Sequence, residues 1–470
     1  MGFRRGTVEL IGGKMFYFLF VIGAIYALFT FWFAVTSYQE KALRAAFLGT
    51  LFFGLMAGLL AFYAWLHETG RLEGSLLWNL QVFATLGLAL FTLFLFLPTG
   101  RNKRALAGTK GMSAGPAENF NQKDTVFNIA HVGGFGPKVG RQRWALQSRD
   151  PFGGIFWTLV MGLRGQVDGK ISSEKTTLSA RENTKRIKET ARGLGADLVG
   201  ITTLKEDLTY SQSFSYEESK LETGPPVTVP VELRHKYVIV LGKEMDYQKI
   251  QATLTPENEA SVGEVGKTYY GVAQIACALS SYIRQLGFPA RAHHLRNEQI
   301  FQVPHAVDAG LGEQGRFNYL ITPRFGPRVR LSSVTTALDL DEDHPVDLGV
   351  QDFCSYCKLC EINCPPQAIT GEKGSVRGYT KWIQDPQKCF LFWVSAANTF
   401  ACSQCLKVCP WNKPDHFVHR VGFWAARRSF LSRRVLYWLH VLFYGRKYSW
   451  QRLPHQEEAE LPPETSGWKR

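Results

Sequence analysis

The sequence lacks the motifs of nucleotide-dependent enzymes. It contains no Walker loop, and the glycines around Gly133-Gly134-Phe135-Gly136 have neither the strand nor the acidic partner that a dinucleotide fingerprint requires. Cysteine is also scarce outside one stretch, because eight of the nine cysteines lie between positions 354 and 409 and only Cys277 lies elsewhere. This clustering argues against a dispersed disulfide framework and indicates metal ligation, whereas lone Cys277 is expected to serve packing.

Acidic residues are in deficit. Asp and Glu number 40 against 54 Lys and Arg, which gives the 470-residue chain a formal net charge of +14. With 45% hydrophobic and 20% charged residues, the chain is too apolar for a disordered protein and long enough for about three folded units. The basic excess is typical of proteins that meet nucleic acid, an anionic membrane surface or an anionic substrate, and charge alone does not choose among these.

Charged residues are absent from three long apolar runs near the amino terminus, at residues 15–36, 45–66 and 75–97. Each run is long enough to cross the hydrocarbon of a bilayer as a helix. Three such runs in succession disfavour buried helices of a soluble protein, and the length of the first disfavours a cleaved signal peptide. We therefore predict three transmembrane helices, which form a multi-pass membrane anchor over residues 1–100.

Basic residues bear on which side of the cell membrane the large domain occupies. Three crossings place the amino terminus and the large domain on opposite sides. The positive-inside rule slightly favours a cytoplasmic domain, whereas Arg4-Arg5, as the remnant of a twin-arginine export signal, would place it outside. The basic residues counted are Lys41, Arg44, Arg101, Lys103, Arg104 and Lys110 on the domain side, and Arg4, Arg5, Lys14 and Arg71 on the other.

The remaining chain divides by composition and periodicity. Residues 101–170 are rich in glycine and basic residues, and we interpret them as a linker and the start of the soluble region. Helical spacing then alternates with short apolar strands, which predicts an α/β or α+β domain over residues 171–345. The predicted helices lie at 156–163, 184–194 and 271–286, and the predicted strands at 197–200 and 237–241.

Two cysteine runs have the spacing of iron–sulfur ligands. The first, C-x2-C-x2-C-x3-C-P, is that of a bacterial [4Fe–4S] site in which three cysteines hold one cluster and the fourth reaches another, and the second run lengthens the first gap to twelve residues. We predict a ferredoxin-like module with two [4Fe–4S] clusters over residues 346–415. Structural zinc is the alternative, disfavoured because both runs are much more specific than a C-x2-C pair. The predicted ligands are Cys354, Cys357, Cys360 and Cys409 for one cluster, and Cys364, Cys389, Cys402 and Cys405 for the other.

Residues 416–470 form a basic amphipathic segment and a tail. Between 421 and 444, aromatic residues and leucines alternate with four arginines. This combination predicts a helix lying in a membrane interface. A helix packed on the protein itself is the alternative.

From about residue 186 to 411, roughly half the chain, the sequence resembles the corrinoid-dependent reductive dehalogenases. The resemblance implies a nitroreductase-like α/β core that binds cobalamin without a histidine ligand on cobalt, followed by the two-cluster module. It agrees with the absence of a D-x-H-x-x-G corrinoid motif, and it implies that the amino-terminal spans correspond to the small anchor protein that usually accompanies this family. The segments that carry it are 269–288, 308–316 and 320–330, and the cysteine runs with Phe353, Phe392, Trp393 and Trp411.

Matched motif by motif, the resemblance places the family's proton-donating tyrosine at Tyr269 and the adjacent basic residue at Arg330. Tyr270 is the alternative register. Reduction of a carbon–halogen bond takes two electrons and one proton, and a phenol is a weak acid until a cation stabilises its phenolate by charge-assisted hydrogen bonding. The residues expected to contact the corrinoid are Gly310, Leu311, Gly312, Arg316 and Thr322.

Two parts of the implied site are less defined. Leu295 stands where some family members have an asparagine, so a third polar contact is not assigned. The neighbouring His293 and His294 are expected to be solvated in a loop rather than to bind metal. Trp382, Phe392 and Trp393 either line an apolar substrate pocket or pack around the clusters.

The sequence thus predicts an oxidoreductase that removes halide from a small organohalide, using cobalamin and two [4Fe–4S] clusters. The expected partners are a quinol-linked or ferredoxin-like electron donor and membrane lipid, with no nucleic acid. An epoxyqueuosine-reductase-like enzyme is one alternative; its tRNA substrate suits the basic charge, but the membrane spans have no use there. A membrane iron–sulfur electron-transfer protein is another, and it leaves the large soluble domain unexplained.

Overall fold

The computed structural model describes residues 2–69, 71, 98, 102–116, 118–137, 139–140, 151–221, 224–396, 399 and 401–448. The chain forms two compact units. The first comprises Met1–Gly100 and Pro414–Arg446, and the second comprises Arg101–Lys413 and Lys447–Arg470. The carboxy-terminal segment, which sequence patterns set apart as a region of its own, therefore groups largely with the amino-terminal residues.

The helices and strands of the described residues follow in chain order. The helices are α1 (Gly2–Gln39), α2 (Leu43–Glu68), α3 (Lys103–Leu106), α4 (Val126–His131), α5 (Pro151–Gly162), α6 (Ala180–Gly193), α7 (Tyr247–Gln251), α8 (Asn258–Gln285), α9 (Gln302–Asp308), α10 (Val350–Cys357), α11 (Leu359–Ile362), α12 (Pro386–Leu391), α13 (Gln404–Lys407), α14 (Phe417–Arg428) and α15 (Phe430–Tyr444). The strands are β1 (Leu198–Thr203), β2 (Gln212–Phe214), β3 (Thr228–Pro230), β4 (Tyr237–Glu244), β5 (Ala290–His293), β6 (Glu313–Gln314), β7 (Leu320–Ile321), β8 (Val329–Thr336), β9 (Ile369–Val376) and β10 (Tyr379–Gln384).

Two helices of the first unit are long and apolar enough to cross a membrane. They span Phe16–Gln39, with a mean hydropathy of 2.3, and Leu43–Glu68, with 2.1, and most of their side chains are exposed to the surroundings of the protein. At the helix contact, a Cβ added to Gly49 would lie 3.1 Å from Ala34 Cα, so a small residue permits the close approach. These helices contain the first two predicted spans and support an association with a membrane; the third predicted span, 75–97, lies outside the described residues.

The carboxy-terminal part of the first unit is a helix pair and not one helix. The predicted continuous helix over 421–444 is wrong, because Ser429 adopts an extended conformation (φ −131°, ψ 133°) between α14 and α15. The Ser429 hydroxyl accepts a hydrogen bond from the Ser432 N–H and so begins a new helix.

A buried carboxylate joins this helix pair to the turn between α1 and α2. Glu40 lies in that turn, and its side chain is 1% exposed. It bonds the ring of His419 in α14, and it accepts a hydrogen bond of 3.4 Å from the Tyr444 hydroxyl at the end of α15. Phe443 packs with its ring centroid 4.7 Å from that of Phe33 in α1. The contacts from both helices of the pair therefore converge on the turn-proximal end of the apolar helices.

The second unit is built on a four-stranded antiparallel sheet with strand order β1-β4-β8-β5. Successive residues of a strand face opposite sides. Accordingly Ile239 and Leu241 of β4 pack in the cluster that contains α8, whereas Val238 and Val240 pack in the cluster that contains α9 and Leu311. The sheet is thus covered by a helix on each face, and its antiparallel pairing makes this the α+β form of the predicted fold class.

The predicted elements of this unit are present with shifted ends. Helix α6 begins earlier than predicted, at a capping box in which Ser179 and Glu182 bond each other's backbone N–H. Helix α8 begins at Asn258, so Tyr269 lies within the helix and not at its start. Both predicted strands are found, as β1 and the longer β4.

The cysteine-rich part of the second unit consists of short elements. Helices α10 to α13 have between four and eight residues, and β9 and β10 form a two-stranded antiparallel hairpin between them. Lys358, between α10 and α11, adopts a left-handed conformation with φ 55°. Short helices joined by tight turns leave the backbone free to wrap around groups of sulfur atoms.

Candidate functional site

The structure gathers the eight clustered cysteines into two groups of four. All nine cysteines of the chain lie in its described part, and none of them is in a disulfide. Burial raises the pKa of every clustered thiol, and within each group neighbouring thiols raise it further. The first thiol group is Cys354, Cys357, Cys360 and Cys409, and the second is Cys364, Cys389, Cys402 and Cys405.

The geometry of these groups fits a cluster better than a single ion. Thiolates around one zinc ion lie roughly 3.8 Å apart, whereas four irons hold their ligands farther apart. In the part of the chain that the structure describes, no three His, Cys, Asp or Glu side chains are placed to hold one metal ion. The donor set of eight buried thiols is therefore suited to iron–sulfur clusters and unsuited to the zinc alternative.

Backbone N–H groups point at several of these sulfurs. Cys409 accepts from Trp411 and Asn412, Cys402 accepts from Gln404, and Cys364 accepts from Ala368 at 3.3 Å. Each bond opposes the effect of burial on the thiol pKa. Such N–H donors stabilise thiolate ligands and any additional negative charge that a cluster takes up.

Tyr269 and Arg330, predicted from different segments, lie together. Tyr269 is on α8, and Arg330 is on β8, the strand whose face α8 covers. The guanidinium carbon of Arg330 is 4.8 Å from the centroid of the Tyr269 ring, and the ring of Trp157 in α5 is 5.8 Å from it. A cation thus lies against the phenol, held by the core of the second unit.

Arg330 is buried, with 6% of its surface exposed. Burial by itself lowers the pKa of Arg330, but the phenols of Tyr269 and Tyr319 raise it above its ordinary value. The guanidinium therefore carries its charge in a water-poor environment, where its electrostatic effect on a phenolate is large.

Tyr319 is a site residue that sequence reasoning missed. Its hydroxyl is hydrogen-bonded to Arg330, and its ring centroid is 5.6 Å from the guanidinium carbon. Burial raises the pKa of Tyr319, and Arg330 opposes this, while Cys405 and Cys389 add to the rise. Tyr319 therefore lies near both Arg330 and the second thiol group. The sequence signal was Asn318, whose left-handed conformation (φ 61°) forms the turn that precedes it.

The second thiol group is the one beside Arg330. Cys405 also acts on the charge of Arg330, whereas no cysteine of the first thiol group is among its main electrostatic partners. The two groups approach each other through Cys405, which is close to Cys360 and Cys409. The sulfur sites are therefore arranged in series, first group, second group, then the Tyr269–Arg330 pair.

The glycines predicted to contact a corrinoid are required by the backbone. Gly310 has φ 71°, and a Cβ there would lie 2.3 Å from His344 O. A Cβ on Gly312 would lie 2.2 Å from Ile321 O. Leu311, between them, packs in the apolar cluster on the α9 side of the sheet. Their contact with a corrinoid remains a prediction.

Arg316 and Thr322, the other predicted corrinoid contacts, have protein partners. Arg316 is 1% exposed and donates to Cys354 O at 3.1 Å, to Gly371 O at 3.0 Å and to Glu361 Oε2 at 3.0 Å. Its guanidinium also lies 5.5 Å from the Trp382 ring. The Thr322 hydroxyl donates to Gly326 O at 3.0 Å. Arg316 thus clamps the loop of the first thiol group, and Trp382 packs beneath it, which favours packing over a pocket role for Trp382.

The histidines after β5 are not solvated, contrary to the prediction. His293 and His294 are both 0% exposed, and burial lowers the pKa of each ring. His293 Nε2 lies 2.8 Å from Thr335 Oγ1, and its Nδ1 accepts from the Gln299 N–H at 3.1 Å. Asn297, the nearest asparagine, donates to Arg164 O at 3.3 Å. These side chains stabilise the core, and none of these contacts places one beside Tyr269.

Comparison with known proteins bears on both parts of this site. Residues 353–413 match the family described as 4Fe-4S dicluster domain. The chain is 36% identical over 285 residues to a tetrachloroethene reductive dehalogenase of Desulfitobacterium hafniense, which covers 52% of this chain and 50% of that protein. It is 25% identical over 297 residues to an epoxyqueuosine reductase of Aliivibrio fischeri, covering 55% of this chain and 74% of that protein.

A solved reductive dehalogenase structure, described as suggesting a mechanism for B12-dependent dehalogenation, superposes with a TM-score of 0.63 at 25% identity. The match covers 70% of this chain and 46% of that one. The chain spans about half the length of the dehalogenase relatives it matches. The protein is therefore similar to reductive dehalogenases, a class of oxidoreductases, over its sheet and cysteine-rich regions, and its cysteine-rich region matches a 4Fe-4S dicluster domain.

Proposed function

We propose that this protein is a membrane-associated reductive dehalogenase, which replaces the halogen of a small organohalide by hydrogen. The observation that carries the proposal is the position of Arg330, 4.8 Å from the Tyr269 ring and close to Cys405 of the second thiol group. A proton donor, a fixed cation and an electron-carrying ligand set therefore meet at one buried point. The overall change consumes two electrons and one proton and releases halide.

The cofactors proposed are two [4Fe–4S] clusters, one in each thiol group, and cobalamin in a nitroreductase-like core. Arg330 and Ser332 share one face of β8, and Arg330 Nε and Ser332 Oγ are buried with no hydrogen-bond partner among the described residues. Such unpaired atoms fit a polar macrocycle beside the Tyr269–Arg330 pair, with segment 310–322 along its edge. When bound, the corrinoid supplies a strongly reducing metal centre for the carbon–halogen bond.

The chain's own residues supply and control the proton. The Tyr269 hydroxyl gives its proton to the carbon that loses halide, and Arg330 stabilises the phenolate that is left. Tyr319 accepts a hydrogen bond from Arg330 and fixes the direction of the guanidinium. Trp157 lies against the Tyr269 ring and limits the access of water to it.

Electrons enter at the first thiol group and leave from the second. This order is supported by the contact of Cys405 with Arg330 on one side and with Cys360 and Cys409 on the other. We propose a quinol-linked or ferredoxin-like donor for the first thiol group.

The first unit attaches the protein to lipid, with the large domain on the cytoplasmic side. The turn at Glu40 marks the end of both apolar helices, so α14 and α15, bonded to that turn, lie at the membrane surface. Trp438 is 70% exposed and Trp424 46%, while Arg427 and Arg428 are exposed beside them. Exposed tryptophans next to arginines are typical of helices in the interface of an anionic membrane.

The Trp438→Cys variant tests this attachment. In nanodiscs containing anionic lipid, we expect a water-soluble maleimide to label this cysteine roughly tenfold more slowly than a Lys185→Cys control, because the interface excludes the reagent from the buried ring position. The Lys185 side chain is 77% exposed on α6. Equal labelling rates for the two variants would show that α15 faces water.

Cofactor uptake tests the catalytic proposal. After anaerobic reconstitution we expect about eight irons per chain, since two four-iron clusters require them, and about one corrinoid after cobalamin is added. The ultraviolet–visible spectrum with and without cobalamin, together with cobalt analysis and halide release from an organohalide, measures this. A protein that fills with iron but takes up no corrinoid contradicts the proposal.

An epoxyqueuosine-reductase-like function is the second candidate, because such a relative matches 55% of the chain. It is less well supported, since the identity is 25% against 36% and the apolar helices have no role in it. Turnover of a modified tRNA stem-loop in the absence of organohalide turnover would favour it.

A further inference from the structure

Two buried amide side chains in the cysteine-rich region lack hydrogen-bond partners. Gln404 and Asn412 are each 1% exposed. In the described part of the chain, neither the oxygen nor the nitrogen of either amide has a partner. Buried polar groups without partners are rare in folded proteins, because each one loses its bonds to water without replacement. Four such atoms on two residues indicate that a non-protein group meets them.

Both residues already touch ligand sulfurs through their backbone. The Gln404 N–H donates to Cys402 Sγ, and the Asn412 N–H donates to Cys409 Sγ. Cys402 belongs to the second thiol group and Cys409 to the first. Each thiol group therefore has one unpartnered amide anchored within one hydrogen bond of its own sulfur.

Position beside a cysteine does not by itself leave an amide unpaired. Asn363 precedes Cys364 and is also buried, at 8% exposure. Its nitrogen donates to Leu359 O at 2.9 Å, and its oxygen accepts from the Tyr448 N–H at 2.8 Å. Gln404 and Asn412 thus differ from a comparable amide in the same region, which the protein satisfies fully.

We propose that Gln404 and Asn412 donate their side-chain N–H groups to the sulfur atoms of the two clusters, and that each residue sets the reduction potential of its own cluster. Cluster sulfides and thiolates accept hydrogen bonds, and a donor stabilises the reduced state, which carries one more negative charge. Gln404 acts on the cluster of the second thiol group, and Asn412 on that of the first. The proposal rests on the two-cluster part of the proposed function and is independent of dehalogenation.

The test is an anaerobic redox titration, followed by electron paramagnetic resonance, of the full chain in detergent, loaded with iron and sulfide but without corrinoid. We expect Gln404→Leu to make one cluster about tenfold harder to reduce, which is about 59 mV for a one-electron couple, and to leave the other unchanged. Asn412→Leu should do the reverse. Signals are assigned with Cys402→Ser and Cys357→Ser, and Asn363→Leu, the matched control, should leave both potentials in place.

Each outcome decides the proposal. Unchanged potentials in the leucine variants overturn it, because the amides would then face buried water or the corrinoid. Equal shifts of both clusters also overturn it, since they indicate a general change in solvent access. If a leucine variant loses iron, Gln404→Glu or Asn412→Asp replaces it, and the same cluster-specific fall in potential is required. A loaded enzyme that shows these shifts but releases no halide would refute the dehalogenase activity alone.

Discussion

The Tyr269→Phe variant is expected to lose halide release by about 10²–10⁴-fold, the range for removal of a general acid. Phenylalanine preserves the ring that packs between Trp157 and Arg330 but has no proton to give. Electron delivery does not pass through the hydroxyl, so the clusters should still be reduced. Initial rates with a chemical reductant, together with electron paramagnetic resonance of the reduced clusters, measure the two quantities separately.

Two matched phenol variants show which hydroxyl supplies the proton. Tyr319→Phe removes the hydrogen bond to Arg330 and should lower the rate about tenfold, because the guanidinium loses a bond that fixes its direction. Tyr270→Phe should retain nearly full activity, because Tyr270 lies against Phe156, with ring centroids 6.3 Å apart. A loss in Tyr319→Phe or Tyr270→Phe that exceeds the loss in Tyr269→Phe would mean that the donor has been misassigned.

The Cys402→Ala variant should lose turnover completely and retain about half of its iron, or about four atoms per chain, since one four-iron cluster would lack a ligand. Cys402 is a member of the second thiol group, which is the group beside Arg330. Without that cluster, electrons reach only the first thiol group. Iron analysis and halide release measure the effect.

Cys277→Ala is the matched control. Cys277 is buried in the α8 side of the core, away from both thiol groups, and burial raises the pKa of its thiol to about 11. The substitution should cost about 1 kcal/mol of folding stability through the small cavity it leaves, with iron content and turnover unchanged. A Cys402→Ala protein with full iron, or a Cys277→Ala protein without it, would contradict the ligand assignment.

The sequence predicted the grouping of the cysteines well, because cluster geometry constrains the spacing of ligands along the chain. Cys364 and Cys409, the last cysteine of each run, were each predicted to join the ligands of the other run, and the structure places them so. The Tyr269–Arg330 pair came from resemblance to a family and not from local pattern. No periodicity reports that α8 and β8 bring these two residues together.

What the sequence could not predict depends on tertiary contacts. Tyr319 reaches Arg330 through a turn at Asn318, and nothing within the turn specifies which strand it approaches. The first turns of α8 contain Gly263 and Gly266, which weaken helix propensity, and burial of Val262 and Val265 stabilises them instead. Strand direction is likewise absent from a strand's own pattern, so the antiparallel sheet could be recognised only from the structure.

The clamp made by Arg316 has a consequence for how the enzyme matures. The same side chain holds the loop that carries Cys354 and lies three residues before Tyr319 in the chain. Insertion of iron at the first site therefore tightens the turn that aligns the proton-delivery residues, because ligand binding and local folding are linked. A newly made polypeptide becomes competent in a fixed sequence, in which metallation comes first and a reactive centre without its electron supply does not accumulate.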